Sequence, residues 1–293
     1  MMKKYKSLAK LSDYVELTKP GVTFMVLFST VAGFYLGSQK SLDFLLLFNT
    51  LLGTCLVAGG TNALNQLIER ENDARMKRTR KRPLPAGRLQ PRQAQFFATI
   101  ISTTGILYLC SFVNLLTGFL AALTLGSYVF IYTPLKSKTS FSTVVGAVPG
   151  AIPPVGGWAA ARGDIGLEAG VLFAILFFWQ IPHFLAIAWI YRADYTRAKF
   201  PVLPVIDRKG TVTSMHIIAN CLALLSVSLL PTLFGLAGNI YFVGALLLGL
   251  GFLASGMRVA ISKSNSCARS VLHASIIYLP VLLALMSFDK SGL

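Results

Sequence analysis

Nine apolar stretches set the terms on which this chain folds: 21–38, 42–64, 93–113, 115–133, 142–160, 166–190, 213–235, 239–262 and 270–288. A helix needs about 20 residues to cross about 30 Å of hydrocarbon, and inside a bilayer every backbone N–H and C=O must find its partner within the protein. The stretches have that length, and so predict an all-α integral membrane protein of about nine transmembrane helices. The composition agrees, because 54% of the 293 residues are hydrophobic and only 13% are charged, far from the balance of a soluble domain. No repeat or low-complexity linker divides the sequence, which reads as one domain over 1–293 with 1–20 as a cytoplasmic N-terminal segment. The fifth stretch holds Gly146, Pro149, Gly150, Pro153, Pro154, Gly156 and Gly157. These predict a kinked helix that a neighbour approaches closely.

The basic residues are distributed unequally. The N-terminal segment and the connections after the second, fourth, sixth and eighth stretches hold 24 of the 27 Lys and Arg, leaving Lys40, Arg162 and Lys290 for the opposite side. The positive-inside rule puts the N-terminus and those connections in the cytoplasm, as expected for a multi-pass protein of a bacterial plasma (inner) membrane. The formal net charge of +16 is then one-sided. It suits anionic lipid head groups or an anionic substrate and is no argument for nucleic acid. The start holds Lys3, Lys4, Lys6 and Lys10 but also Asp13 and Glu16, and runs into a full-length span without a small-residue cleavage site. It reads as retained, not as a signal or transit peptide. Cys55, Cys110, Cys221 and Cys267 are scattered without metal-ligand spacing and are expected to be free thiols.

The chemistry is expected in the basic connections. In the first, Asn65, Glu69 and Asp73 recur every four residues and would share one face of a helix continuing out of the second stretch. Oxygen-bearing side chains stacked in this way can hold Mg²⁺, which favours carboxylates and substrate phosphates. Arg78 and Arg82 follow, again four apart. Their guanidinium forks suit phosphate oxygens and the charge of a departing diphosphate. A basic loop alone is ordinary in a membrane protein; the pairing of stacked oxygen ligands with spaced arginines is the informative part.

Two further connections emerge on the same side. After the sixth stretch, Asp194 stands among Arg192, Arg197 and Lys199 and is expected to approach a metal held by Glu69 and Asp73, although an ordinary loop acid would look the same. After the fourth, Tyr132 and Lys136 set a phenol and an ammonium four residues apart. Lys136 is either a phosphate ligand or a lysine that sets topology. Tyr128, Phe130 and Tyr132 either turn their π clouds toward a cation or form part of an interfacial aromatic belt. His183 lies inside the sixth stretch beside Pro182. An ionisable residue there is a functional candidate, with a helix-packing histidine as the alternative. His216 and His273 have no supporting neighbours and read as structural.

Taken in order, Leu17-Thr-Lys19-Pro20, the Asn65, Glu69 and Asp73 series, the run from Arg78 through Arg82-Pro-Leu-Pro to Gly87-Arg88, Tyr132-Thr-Pro-Leu-Lys136, Gly150-Ala-Ile-Pro-Pro154, Trp179-Gln-Ile-Pro-His183-Phe184 and Asp194-Tyr195 resemble the motifs of the UbiA-type intramembrane prenyltransferases. Within these, the pattern is most similar to the members that act on haem. The likeness covers most of the chain, and its specificity lies in the order and spacing of short motifs. It implies nine helices around a central cavity, with Mg²⁺ between two acidic motifs. The implied reaction transfers a farnesyl group from farnesyl diphosphate to a vinyl group of haem b, with water addition, giving haem O. By the same resemblance, Asn65, Glu69, Asp73 and Asp194 would hold the metal, and Lys19, Arg78, Arg82, Tyr132 and Lys136 the diphosphate. His183 would contact haem. Membrane lipids and a haem-handling or haem O oxidising protein are the implied partners. Gln66, Glu69 and Ala198 stand where many members have Asp, a change at 198 that the haem-specific members share. Lys199 and Val202 replace an expected Gly and Met. The competing readings are a prenyltransferase for a quinone or chlorophyll precursor, and a multi-pass transporter. Transporters place polar ligands at broken helices near the bilayer midplane, whereas here the acids gather at helix ends.

Overall fold

The structure, a computed structural model, describes residues 10–39 and 41–291. The expectations placed on Lys3, Lys4, Lys6 and Lys40 lie outside the described residues. In chain order the helices are α1 (Leu11–Leu17), α2 (Pro20–Gly37), α3 (Phe44–Arg75), α4 (Pro91–Phe112), α5 (Leu115–Gly126), a π-helical segment (Ser127–Tyr132), α6 (Thr133–Leu135), α7 (Ser142–Arg162), α8 (Leu167–Ile190), α9 (Arg192–Arg197), α10 (Leu203–Ile206), α11 (Thr211–Leu233), α12 (Asn239–Ser262) and α13 (Asn265–Phe288). Among the described residues, nine spans are long and apolar enough to cross a membrane, with α5, the π segment and α6 forming one of them over Leu115–Leu135. Every one coincides with an apolar stretch of the sequence.

The spans form a closed circuit. Neighbours pack in the order α3, α4, α5, α7, α8; α8 then meets both α11 and α13, and α13 returns to α2. Large apolar side chains such as Phe44, Phe96, Leu247 and Ile261 stay exposed on the outside, which only lipid can cover. Trp158, Tyr241 and Tyr278 fill the interior.

The proline-rich span α7 runs as one continuous helix through Pro149, Pro153 and Pro154. It is the most buried span, so its neighbours hold it in place of the hydrogen bonds its prolines omit. Its small residues do what their pattern predicts. A methyl on Gly33 of α2 would sit 2.7 Å from the Pro154 carbonyl carbon, and one on Gly157 would sit 2.8 Å from the Phe34 nitrogen. The α2 and α7 backbones therefore touch directly.

Helix α3 is the element that builds the polar end. Its 32 residues extend about 48 Å at 1.5 Å each, against about 30 Å of hydrocarbon. Asp43 starts it by accepting a hydrogen bond from the Leu46 amide at 2.9 Å, an N-cap that satisfies a free amide. The helix outruns the membrane at its other end, where Asn65, Glu69 and Asp73 stand. At the end away from those residues, α2 and α13 flank an apolar cleft of about 430 Å³ lined by Phe28, Val31, Tyr35, Leu283 and Phe288.

Candidate active site

Asn65, Glu69 and Asp73 lie one turn apart on α3, and all three are buried. A buried carboxylate needs a counter-charge and hydrogen bonds, and each of these residues obtains a partner from a different segment. The Lys19 ammonium, at the start of α2, donates to Asn65 Oδ1 at 2.8 Å. Lys136, just beyond α6, donates to both Glu69 oxygens at 2.9 and 3.0 Å. Arg82 in the first loop donates to Asp73 Oδ2 at 2.8 Å. The Asn65 amide in turn donates to Thr133 Oγ1 at 3.3 Å. The outcome is a ladder of three cations facing three oxygen ligands.

Local structure delivers each cation. Lys19 has a left-handed backbone, φ 50°, and is the N-cap of α2. The π-helical segment winds more widely than an α-helix and brings Tyr128 and Tyr132 to one face, their ring centroids 4.9 Å apart. Tyr132 rests on Gly146, where an added methyl would lie 2.6 Å from a ring carbon, and Lys136 follows one turn later with its ammonium 4.8 Å from the Phe200 ring. Phe130, considered with these aromatics, is 73% exposed and faces outward. Two residues along a helix is half a turn, so the three rings cannot share a face.

The electrostatics of the ladder are uneven. Burial, then the Arg82 guanidinium, pushes the Lys19 ammonium down to about 7, against the pull of Glu69. For Lys136 burial acts in the same sense, but the bonded Glu69 carboxylate overrides it and holds the ammonium well above its usual range.

Asp194 departs from expectation. Its carboxylate accepts from the backbone amides of Lys77 at 3.1 Å and Arg78 at 3.4 Å and pairs with the Arg197 side chain. It pins the turn after α3 and does not join Glu69 and Asp73; among the described residues no three His, Cys, Asp or Glu side chains form a metal-binding group. The physical reason is local: α9 presents Asp194 to free amides of a turn that has no other acceptor for them nearby. Arg78, pinned by this contact, is exposed and lies over the Tyr191 ring at 5.1 Å. It is poised near the cluster without a carboxylate partner of its own.

His183 is remote from the ladder along α8. Its Nδ1 meets Ser275 Oγ of α13 at 2.7 Å, and its ring stacks on Trp179 at 5.1 Å. Ser275 Oγ already donates to the Leu272 carbonyl at 2.7 Å. His183 Nδ1 therefore carries the proton of the shared bond and leaves Nε2 with its lone pair. His216 and His273 are exposed.

Some contributors have no signal in the sequence. Asn72 donates to the Ala198 carbonyl at 2.8 Å and ties α3 to the second loop, and Gln66 donates to the Leu17 carbonyl at 2.8 Å. A polar residue on a protruding helix looks solvated until the loop that covers it is known. The oxygen donors Asn65, Glu69 and Asp73 suit a hard divalent cation by type and alignment.

Comparison with known proteins gives the family. The model of the UbiA prenyltransferase family matches residues 26–277. The protoheme IX farnesyltransferase of Solibacter usitatus (strain Ellin6076) is 49% identical over 292 residues, covering 97% of this chain and 100% of its own length. Among solved structures, one of digeranylgeranylglyceryl phosphate synthase superposes with a TM-score of 0.80 at 15% identity, over 95% of this chain and 98% of its own. A UbiA homolog from Archaeoglobus fulgidus bound to GPP and Mg²⁺ superposes with a TM-score of 0.61 at 16% identity, over 94% and 99%. These two show the fold alone. Its nine spans and its match over most of its length make the chain a multi-pass membrane protein that belongs to the UbiA prenyltransferase family.

Proposed function

We propose that the protein transfers the farnesyl group of farnesyl diphosphate to a vinyl group of haem b, with addition of water, giving haem O. The observation that carries the reading is the ladder of Lys19, Lys136 and Arg82 against Asn65, Glu69 and Asp73, in a chain about half identical to a protoheme IX farnesyltransferase. Cations that rest on carboxylates can turn to a diphosphate when one arrives. In this role Asn65, Glu69 and Asp73 hold Mg²⁺, and Lys19, Arg78, Arg82, Tyr132 and Lys136 hold diphosphate oxygens. Asp194 sets the turn that carries Arg78 and reaches a metal only by releasing Arg197 and the two amides. When bound, Mg²⁺ neutralises charge that builds up on the departing diphosphate.

The basic side chains, once turned to the bound diphosphate, take the same charge as it develops. The C–O bond of the donor breaks with both electrons going to diphosphate, leaving an allylic cation. The vinyl π pair forms the new C–C bond, and water adds to the resulting cation and gives up a proton. Tyr128 and Tyr132 present ring faces to the cationic carbons. His183, with Nε2 free, contacts haem. The ladder stands on the cytoplasmic side of a bacterial inner membrane, consistent with the basic excess at that end. Membrane lipids surround the bundle, and a haem-handling or haem O oxidising protein would receive the product.

Purified protein reconstituted in lipid with farnesyl diphosphate, Mg²⁺ and equal haem b and 4-hydroxybenzoate tests the acceptor by product mass. We expect haem to gain a farnesyl group and one hydroxyl. Alkylated hydroxybenzoate beside unchanged haem would overturn the reading.

A further inference from the structure

Arg88 closes the loop that carries Arg78 and Arg82, yet it faces away from the ladder. Its two terminal nitrogens donate to Asp13 Oδ1 at 2.6 Å and Glu16 Oε2 at 2.5 Å, both on α1, and to the Lys81 carbonyl at 3.0 Å. Gly87, at φ 74°, gives the chain a left-handed turn immediately before Arg88. Asp13 is almost wholly buried, at 4% side-chain exposure, and also accepts from the Lys10 amide at 3.1 Å. Beneath the ion pairs, Leu17 of α1 packs with Leu84 and Leu89 of the loop.

The far end of α1 runs directly into Lys19. The Leu17 carbonyl takes the Gln66 amide, and the Thr18 carbonyl takes Asn62 Nδ2 at 3.2 Å and Thr23 Oγ1 at 2.9 Å. Both Asn62 and Gln66 belong to α3. Lys19 then adopts a left-handed backbone, one that a non-glycine residue keeps only when its surroundings impose it. One short loop thus fixes two cations of the ladder, Arg82 through its own chain and Lys19 through the grip of Arg88 on α1.

We infer that Arg88, Asp13 and Glu16 form a positioning clamp that holds Lys19 over Asn65 and so sets the affinity for the prenyl diphosphate, without touching it. The clamp rests on the reading of Lys19 as a diphosphate ligand given above. It assigns to two N-terminal acids a part in substrate affinity. The guanidinium fork suits this role, since its two terminal nitrogens hold the two carboxylates in a fixed geometry that the single ammonium of a lysine does not impose.

A double-mutant cycle on Kd for the unreactive thiolodiphosphate analogue of farnesyl diphosphate, with Mg²⁺ and the full chain in lipid, tests the clamp. Arg88→Ala is expected to weaken binding about 10-fold, the scale of a misplaced ligand, and Arg88→Lys by less. In a Lys19→Met background Arg88→Ala adds nothing, because the clamp acts through Lys19. Glu16→Gln, at a side chain 45% exposed, is safe for folding and repeats the same non-additive pattern at smaller size. Arg70→Ala, which removes an exposed ion pair with Glu71 and a hydrogen bond to the Leu67 carbonyl within α3, serves as the control with unchanged Kd. Wild-type Kd in folded Arg88→Ala and Glu16→Gln, or losses that add to that of Lys19→Met, overturns the clamp alone. Unchanged Kd in Lys19→Met itself overturns the diphosphate reading and the clamp with it.

Discussion

At the scale of single residues, the site is two ion pairs, Arg82 with Asp73 and Lys136 with Glu69, beside a Lys19 ammonium held by the Asn65 amide oxygen. Asp73 is the most deeply placed acid, 2% exposed, and its partner Arg82 keeps 23% of its side chain open to water. Asp73→Asn removes the charge with little change in volume, and Arg82 can turn to solvent. We therefore expect kcat to fall by about 10²–10³, the cost of losing one preorganised electrostatic group, while the thermal unfolding temperature stays close to wild type. Near-normal turnover in this variant would exclude Asp73 from the metal. Lys19 gives a pH signature. With its ammonium lowered to about 7 in the free protein, it is charged below pH 7 and largely neutral at pH 8. An arriving diphosphate favours the charged form and draws a proton in. Calorimetry at pH 8 in buffers of different ionisation enthalpy should show proton uptake on binding the thiolodiphosphate analogue, lost in Lys19→Met; equal uptake in both proteins would assign the proton elsewhere. The alignment of Asn65, Glu69 and Asp73 was legible in the sequence because their four-residue spacing is a helical face, whereas Arg78 and Arg82, equally spaced, lie in the turns after α3 and share none. The contacts of Asp194 were not legible, because they depend on a tertiary fact, the amides of residues 77 and 78 lying against it.

Among the elements, α3 and the π-helical segment do most to build the site. The length of α3 could be foreseen, since a helix that begins at a capped Asp43 and carries a polar face at 65–73 has to emerge from the membrane. The π segment could not, because its residues, Ser-Tyr-Val-Phe-Ile-Tyr, read as ordinary apolar helix. Its consequence is testable: deleting Leu135, between the wide turn and Lys136, should turn Lys136 back by about 100°, separating it from Glu69. Circular dichroism is expected to keep its helical signal while prenyl transfer is lost; retained transfer would show that the wide turn does not set Lys136. The contact of α2 with α7 was legible as a run of small residues. Gly157→Ala places a methyl 2.8 Å from the Phe34 nitrogen and should destabilise the fold by about 1–3 kcal/mol, as overpacking does. Melting in detergent measures it, and an unchanged midpoint would mean that the helices part without strain.

For the whole molecule, the nine spans found among the described residues leave Lys19, Arg82 and Lys136 together at one end, and we propose from the charge distribution that this end faces the cytoplasm. Single cysteines at Lys81 and Arg162, in a chain with its own cysteines replaced, should react from opposite sides of sealed vesicles with a membrane-impermeant thiol reagent. Labelling of both from one side would contradict the assignment. The span count was legible because length and apolarity are local properties. The closing of α13 onto α2 was not, being a product of packing around the entire circuit. The central claim is that the α3 ladder is where a prenyl diphosphate sits, and a cryo-EM structure with Mg²⁺ and the thiolodiphosphate analogue tests it directly. We expect diphosphate density against Lys19, Arg82 and Lys136, with the pairs to Asp73 and Glu69 opened around a metal. Intact pairs, with the diphosphate bound elsewhere, would contradict it.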